Sequence, residues 1–193
     1  MQLDNRKLGT IAIVASPLML AEFILSSTRH LIGGEFGPAD AVIGLIYLAG
    51  FFATLMGLRT LRITGSDRWT TILFGVQVAL LLLAALQQVL ELAGASTESA
   101  IFGLADAAWP FSHMLMCVTG IAILRARRWT DYRRYLPFLC GFAVPALIAF
   151  QLLSGKGAGR ITFGLLTLLG FGLLGYSLRS SSPDRYGETV RYV

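Results

Sequence analysis

Six long, unbroken apolar stretches are the feature that most constrains what this chain can fold into. A helix needs about 20 mostly apolar residues to cross the hydrocarbon core of a bilayer. Stretches of that length run over about 8–27, 41–61, 70–92, 107–124, 135–153 and 161–178. They are continuous rather than alternating, which excludes membrane β-barrel strands. We therefore predict an all-α, polytopic integral membrane protein with six transmembrane helices over 1–178 and a flexible tail over 179–193.

The low charge of the chain agrees with burial in lipid. Charged residues make up 14% of the sequence, whereas a soluble domain carries about 25%. The first apolar stretch begins after Arg6 and Lys7, as a signal peptide would. It is longer than a usual signal-peptide core, contains Pro17 and Glu22, and lacks a small-residue cleavage site. We therefore expect it to be retained as the first transmembrane helix.

The distribution of basic residues predicts the orientation. All but three of the 16 Lys and Arg residues lie before the first helix, after the last, or in the connections between helices two and three and between four and five. The exceptions are Arg29, Lys156 and Arg160. Because basic residues accumulate on the cytoplasmic side, both termini are expected in the cytoplasm. The predicted location is a plasma membrane, of the bacterial inner-membrane type.

Polar groups inside the apolar stretches gather in the outer half of the predicted bilayer. A charged group at the centre of a membrane helix costs about 2.5–3.5 kcal/mol on insertion scales, so such groups usually face the bundle interior for a reason. At a rise of about 1.5 Å per residue, Glu22 lies roughly 20 Å above the cytoplasmic start of helix one. His113 lies roughly 9 Å below the outer start of helix four. Tyr47 and Gln88 fall in the same half, which predicts a polar pocket open to the outside.

Helical spacing places these groups on stripes that could converge. Glu22, Ser26 and Arg29 follow i, i+4, i+7 on helix one. Asp106 and His113 share a face of helix four together with Pro110, which is expected in the first turn, where its missing N–H costs little. Gln88 and Glu91 share a face of helix three. The predicted ligand-binding or proton-coupling residues are Glu22, Ser26, Arg29, Tyr47, Gln88, Glu91, Asp106 and His113.

Cofactor and catalytic motifs are weak in this sequence. His30 and His113 are both predicted on the outer side, where a bis-histidine haem is geometrically conceivable, and they are the only candidate metal ligands of that type. The segment SGKGAGR over 154–160 lacks the spacing of a phosphate-binding loop. Cys117 and Cys140 form no CxxC motif and are interpreted as small buried residues. No aromatic and basic strip suggests nucleic acid.

Three functions remain open from the sequence. In the first, the pocket binds or transports a small molecule, an ion or a lipid headgroup. In the second, it holds haem or quinone in a membrane redox subunit. In the third, the protein is a structural or assembly subunit whose polar groups fix helix register. The expected partners are the lipid bilayer, a small ligand, and a second copy or a membrane-complex subunit. Whether the protein is an enzyme stays undecided.

Overall fold

The computed structural model describes residues 4–31, 38–65, 67–96 and 98–181, and within 27–31 it describes the backbone only. Over these residues every regular element is a helix. The predicted flexible tail lies almost entirely outside the described residues. A short 3-10 turn at Tyr132–Tyr135 leads into α6. The helices are α1 (Asn5–Ala15), α2 (Leu18–Leu31), α3 (Pro38–Thr60), α4 (Arg68–Leu92), α5 (Ala100–Ala126), α6 (Leu136–Gly141), α7 (Ala143–Ser154) and α8 (Lys156–Ser180).

Five helical segments of the described chain are long and apolar enough to cross a membrane. They are α1 with the first part of α2 taken together, α3, α4, α5 and α8. The pair α6 and α7 makes a sixth if it counts as one span, although it is bent by 50° around Phe142. The prediction of an all-helical protein is therefore confirmed, and the described chain has five or six apolar spans where we predicted six. Membrane insertion and orientation stay predictions.

The fourth span begins earlier than the sequence suggested. The Ser99 hydroxyl accepts a hydrogen bond from the Phe102 backbone N–H at 3.2 Å and caps α5. Residues 100–106, which precede the fourth predicted apolar stretch, therefore form the first turns of this helix. The placement of Pro110 in the first turn was wrong, because it lies inside α5. A proline there removes the N–H that would bond to the carbonyl of Asp106, four residues earlier.

The spans close into a ring in chain order. Each span packs against the next one along the chain, and α8 returns to pack along α1 and α2. Glycines permit a close approach between α1 and α8. A Cβ atom added to Gly175 would stand 2.8 Å from the backbone oxygen of Gly9. Small residues at such crossings let backbones approach closely, as is typical of membrane helices.

Candidate functional site

A cavity of about 500 Å³ opens at the end of the bundle where α2 is followed by α3 and α4 by α5. Its lining includes four Asp and Glu residues, and we call the cavity the acidic pocket. Four helices, α2, α3, α4 and α5, contribute its walls. The lining residues are Met19, Glu22, Phe23, Asp40, Gly44, Tyr47, Leu48, Gln87, Gln88, Glu91, Phe102, Asp106 and Trp109.

Each of the four helices supplies one carboxyl group to the acidic pocket. Glu22 of α2 and Asp40 of α3 are each only 6% exposed. Glu91 of α4 is partly buried, and Asp106 of α5 is exposed at the mouth. No Lys, Arg or His occurs among the described residues that line the cavity. The wall therefore brings several acidic groups around one space, two of them shielded from solvent.

The α3 wall follows from helical spacing and one glycine. Asp40, Gly44 and Tyr47 are separated by four and three residues and so occupy one face of the helix. A Cβ atom at Gly44 would stand 2.8 Å from Cδ of Gln88 on α4. The missing side chain therefore leaves room for the Gln88 amide beside α3. A larger residue at this position would narrow the pocket.

The α5 wall repeats the same spacing. Phe102, Asp106 and Trp109 lie at i, i+4 and i+7, and His113 continues the stripe one turn deeper. The rings of Phe102 and Trp109 line the cavity together with the Asp106 carboxyl group. The early start of α5 at Ala100 is what brings Phe102 into the helix. This wall therefore depends on the Ser99 cap.

Two glutamines organise the α4 wall. The Gln87 amide nitrogen donates to Oε2 of Glu91 at 3.1 Å, and the Gln88 amide nitrogen donates to the side-chain oxygen of Gln87. This chain of hydrogen bonds fixes the amides along one side of the pocket. It holds the Glu91 carboxyl group on the helix face that borders the cavity.

The floor of the acidic pocket is a group of rings packed around one buried histidine. The Tyr47 hydroxyl and Nε2 of His113 are 2.7 Å apart, and Nδ1 of His113 lies 3.0 Å from the Trp109 carbonyl oxygen. A carbonyl can only accept, so in the neutral imidazole Nδ1 carries the proton and Nε2 accepts from Tyr47. We name this group the aromatic plug. It consists of Tyr47, Phe51, Trp109, His113, Phe163 and Phe171.

The aromatic plug separates the pocket from the deeper part of the bundle. The His113 ring centroid lies 4.9 Å from that of Phe51, 5.1 Å from Trp109 and 5.3 Å from Phe163. His113 itself has 0% of its surface exposed. The cavity is consequently open at the acidic end and closed at the plug.

Beneath the plug, the polar side chain of Gln77 is paired within the bundle. Its amide nitrogen donates to the Ser112 backbone oxygen at 3.2 Å, and its amide oxygen accepts from the Thr119 hydroxyl at 3.0 Å. Both bonds join α4 to α5. Because these groups satisfy one another, they have a structural explanation that needs no ligand.

The structure brings together most of the residues predicted for the site. His113 lies under the pocket rather than in its lining, and it reaches the cavity through Tyr47. Ser26 is buried one turn beyond Glu22, and its hydroxyl has no hydrogen-bond partner in the described chain. The side chains of Arg29 and His30 lie outside the described residues. The predicted residues that line the pocket are Glu22, Tyr47, Gln88, Glu91 and Asp106.

Sequence reasoning missed part of the wall. Asp40 and Trp109 were not among the predicted site residues, yet both line the pocket. The spacing of Asp40 with Tyr47 would have revealed the first, once α3 was extended to Pro38. Phe23 and Phe102 gave no signal, because apolar rings are common on every membrane helix.

The described residues offer few side chains that could bind a metal ion or a haem. The described residues contain no group of three or more His, Cys, Asp or Glu side chains arranged to hold a metal ion. Both imidazole nitrogens of His113 are engaged, so an axial haem bond would first have to break the contact with Tyr47.

Comparisons with protein-family models, with curated proteins and with solved structures gave no match for this chain.

Proposed function

We propose that this is a multi-pass membrane protein that binds a small organic cation in the acidic pocket, as a binding protein or a transporter. The proposed orientation places the basic connections in the cytoplasm and the pocket on the outer side, following the positive-inside bias. The observation that carries the proposal is the convergence of one carboxyl group from each of four helices on a single cavity.

The charge of the wall favours a cationic ligand. Glu22 and Asp40 are both more than nine-tenths buried, and opposite charges attract more strongly where the surrounding dielectric constant is low. A bound cation would interact favourably with all four carboxyl groups at once. Basic groups do occur nearby, since the Arg160 guanidinium lies 5.9 Å from the Phe23 ring centroid. Arg160 does not line the cavity, and the acidic groups there outnumber it.

The size and rings of the pocket favour an organic cation over a metal ion. A volume of about 500 Å³ falls in the range of small-molecule sites, roughly 300–1,000 Å³. Phe102 and Trp109 present aromatic rings to the cavity, and such rings attract ammonium groups by about 0.5–2 kcal/mol. The carboxyl groups stand around the cavity instead of forming a metal-ligand cluster. An amine on an apolar body fits this lining.

The aromatic plug bears on whether binding leads to transport. A transported ligand would have to pass the ring of side chains around His113, which closes the pocket below. The Tyr47–His113 hydrogen bond joins α3 to α5 across this closure. Transport would therefore require α3 and α5 to separate, whereas a binding protein could keep the plug closed.

A ligand panel against the purified protein tests the proposal. Thermal stability in mild detergent would be measured with a quaternary aromatic ammonium compound, a neutral isostere and an anion of similar size. We expect only the cation to stabilise the protein, by about 2.7 kcal/mol at one hundred times its Kd. Native mass spectrometry would confirm one bound cation per chain.

Charge-removing variants locate the binding. Glu22→Gln and Asp106→Asn should each weaken cation binding by about tenfold or more, because each removes one charge beside the cavity. Glu98→Gln is the matched control, since Glu98 is an exposed acid near the same end that does not line the pocket. Equal stabilisation by the neutral compound, or equal losses in all three variants, would contradict the proposal.

A further inference from the structure

A second cavity lies at the opposite end of the bundle, where the basic connections are. It has a volume of about 640 Å³ and lies between the α3–α4 connection and the last turns of α5. We call it the basic-end groove. Its lining residues are Thr64, Gly65, Asp67, Trp69, Thr70, Val118, Ile121, Ala122, Arg125 and Ala126.

The groove contains two opposite charges that do not pair with each other. The described chain has no ion pair between Arg125 and Asp67 within 4.0 Å, and the Arg125 guanidinium donates no hydrogen bond within it. Asp67 caps α4 through Oδ1, which accepts from the Thr70 N–H at 3.0 Å and from its hydroxyl. These two bonds lower the pKa of the Asp67 carboxyl group, so it stays ionised at neutral pH. A guanidinium and a carboxylate are therefore both available to a bound molecule.

The groove also holds a buried hydroxyl without a partner. Thr64 is only 3% exposed, and in the described chain its Oγ1 makes no hydrogen bond. Leaving a buried polar group unsatisfied is costly, by about 1–3 kcal/mol. Thr64 is one of the residues that line the groove, so a ligand oxygen that entered beside its side chain would satisfy the hydroxyl. This observation is independent of the charges and also indicates an occupant.

Apolar side chains of α5 and one exposed tryptophan of α4 form another part of the groove lining. Ile121 and Val118 are separated by three residues on α5, and Arg125 follows Ile121 by one turn, so the apolar surface leads directly to the guanidinium. Trp69 is 57% exposed at the start of α4. Tryptophan is enriched at the membrane interface, where headgroups lie.

We infer that the basic-end groove binds a membrane phospholipid with a zwitterionic headgroup. Its phosphate would bind the Arg125 guanidinium, and its ammonium group would lie toward the Asp67 carboxylate and the Trp69 ring. The Thr64 hydroxyl would donate to a phosphate or ester oxygen, and an acyl chain would follow Val118 and Ile121. A purely anionic lipid would meet the Asp67 carboxylate without a cation to offset it. The inference does not depend on the acidic pocket.

Native mass spectrometry of the full chain in mild detergent tests this site. Phosphatidylethanolamine and phosphatidylglycerol with identical acyl chains would be added separately, and retained lipid would be counted. We expect phosphatidylethanolamine to be retained more strongly. Arg125→Gln should weaken its retention about fivefold, which corresponds to about 1 kcal/mol for one basic residue near a membrane surface. Arg125→Lys should retain part of the effect, since it keeps the charge but loses the bidentate geometry.

Two further variants distinguish the groove from a general basic surface. Asp67→Asn keeps a capping side chain but removes the charge, so it should reverse the preference toward phosphatidylglycerol. Arg68→Gln removes an exposed charge at the same end that does not line the groove, and it should leave retention unchanged. Stronger retention of phosphatidylglycerol by the wild type, or an equal loss in Arg68→Gln and Arg125→Gln, would overturn the inference.

Discussion

The hydrogen bond between Tyr47 and His113 should be measurable as a coupling energy between α3 and α5. Tyr47 is 1% and His113 0% exposed, and the two atoms are 2.7 Å apart. Interhelical hydrogen bonds in membrane proteins average about 0.6 kcal/mol and reach about 1.7. A short bond in a closed aromatic surrounding should lie near the upper end, so we expect a coupling of about 1–1.7 kcal/mol.

A double-mutant cycle measures that coupling. Tyr47→Phe should destabilise the protein by about 1–3 kcal/mol, because Nε2 of His113 stays buried without its donor. His113→Phe preserves an aromatic ring in the plug but leaves the Tyr47 hydroxyl without an acceptor. The double variant should lose less stability than the two single variants together, because neither orphan remains.

The assay is reversible unfolding by sodium dodecyl sulfate from mild detergent, followed by circular dichroism. Tyr47→Phe and His113→Phe keep an aromatic ring at each position, so the contacts of Phe51 and Phe163 with the ring at position 113 should persist. Native helix content in both variants therefore serves as the internal check. Additive losses, with a coupling below about 0.3 kcal/mol, would fall within the usual error of independent sites. Such a result would refute the hydrogen bond as a link across the floor of the pocket.

Two further predictions concern packing and the buried amide. Gly175→Ala should destabilise the bundle by about 1–3 kcal/mol, because its Cβ would stand 2.8 Å from a backbone oxygen of α1. The control variant Gly75→Ala, whose Cβ would have no atom within 4 Å, should be neutral or stabilising by up to about 1 kcal/mol. Equal effects of the two variants in detergent unfolding would contradict the α1–α8 contact. Gln77→Leu should lower the free energy of unfolding by about 1–3 kcal/mol, because it removes both hydrogen bonds to α5. Adding Thr119→Val to that variant should then have little further effect. A large additional loss of stability would show that Thr119 acts independently of Gln77.

The sequence predicted the helical architecture well because long apolar stretches have few alternatives. It was less accurate at helix ends and breaks, where short-range hydrogen bonds decide. The Ser99 cap starts α5 at Ala100, well before its apolar stretch becomes continuous. The bend at Phe142 divides what reads as one uninterrupted stretch. Neither feature changes the local hydropathy, so a hydropathy pattern does not detect it.

The candidate site could be predicted in part for a similar reason. Glu22, Tyr47 and Asp106 were recognisable because polar groups are rare and costly in apolar helices. Their convergence depends on which helices are neighbours in the bundle. The order of the helices is a tertiary property, and residue spacing in a single sequence does not show it. Trp109 is the clearest case. Tryptophan is a residue type that is common at the membrane interface. Only the packing of α5 against its neighbours places the Trp109 ring in the wall of the pocket.

The central claim is that the acidic pocket opens to the outer side and is closed by the aromatic plug. Single cysteines at Glu98, Asp106 and Met116, in a chain with Cys117 and Cys140 replaced by alanine, would test it in intact cells with a membrane-impermeant maleimide. Asp106 lines the exposed mouth, whereas Met116 is 0% exposed and follows His113 on α5. We predict that Asp106→Cys is labelled and is protected by the aromatic ammonium compound at a concentration about tenfold or more above that needed by the wild type, because this variant has lost one carboxylate of the pocket. Glu98→Cys should be labelled with or without the compound, and Met116→Cys should stay unlabelled. Labelling of Met116→Cys as fast as Asp106→Cys, or labelling of Asp106→Cys only after the cells are opened, would contradict the account.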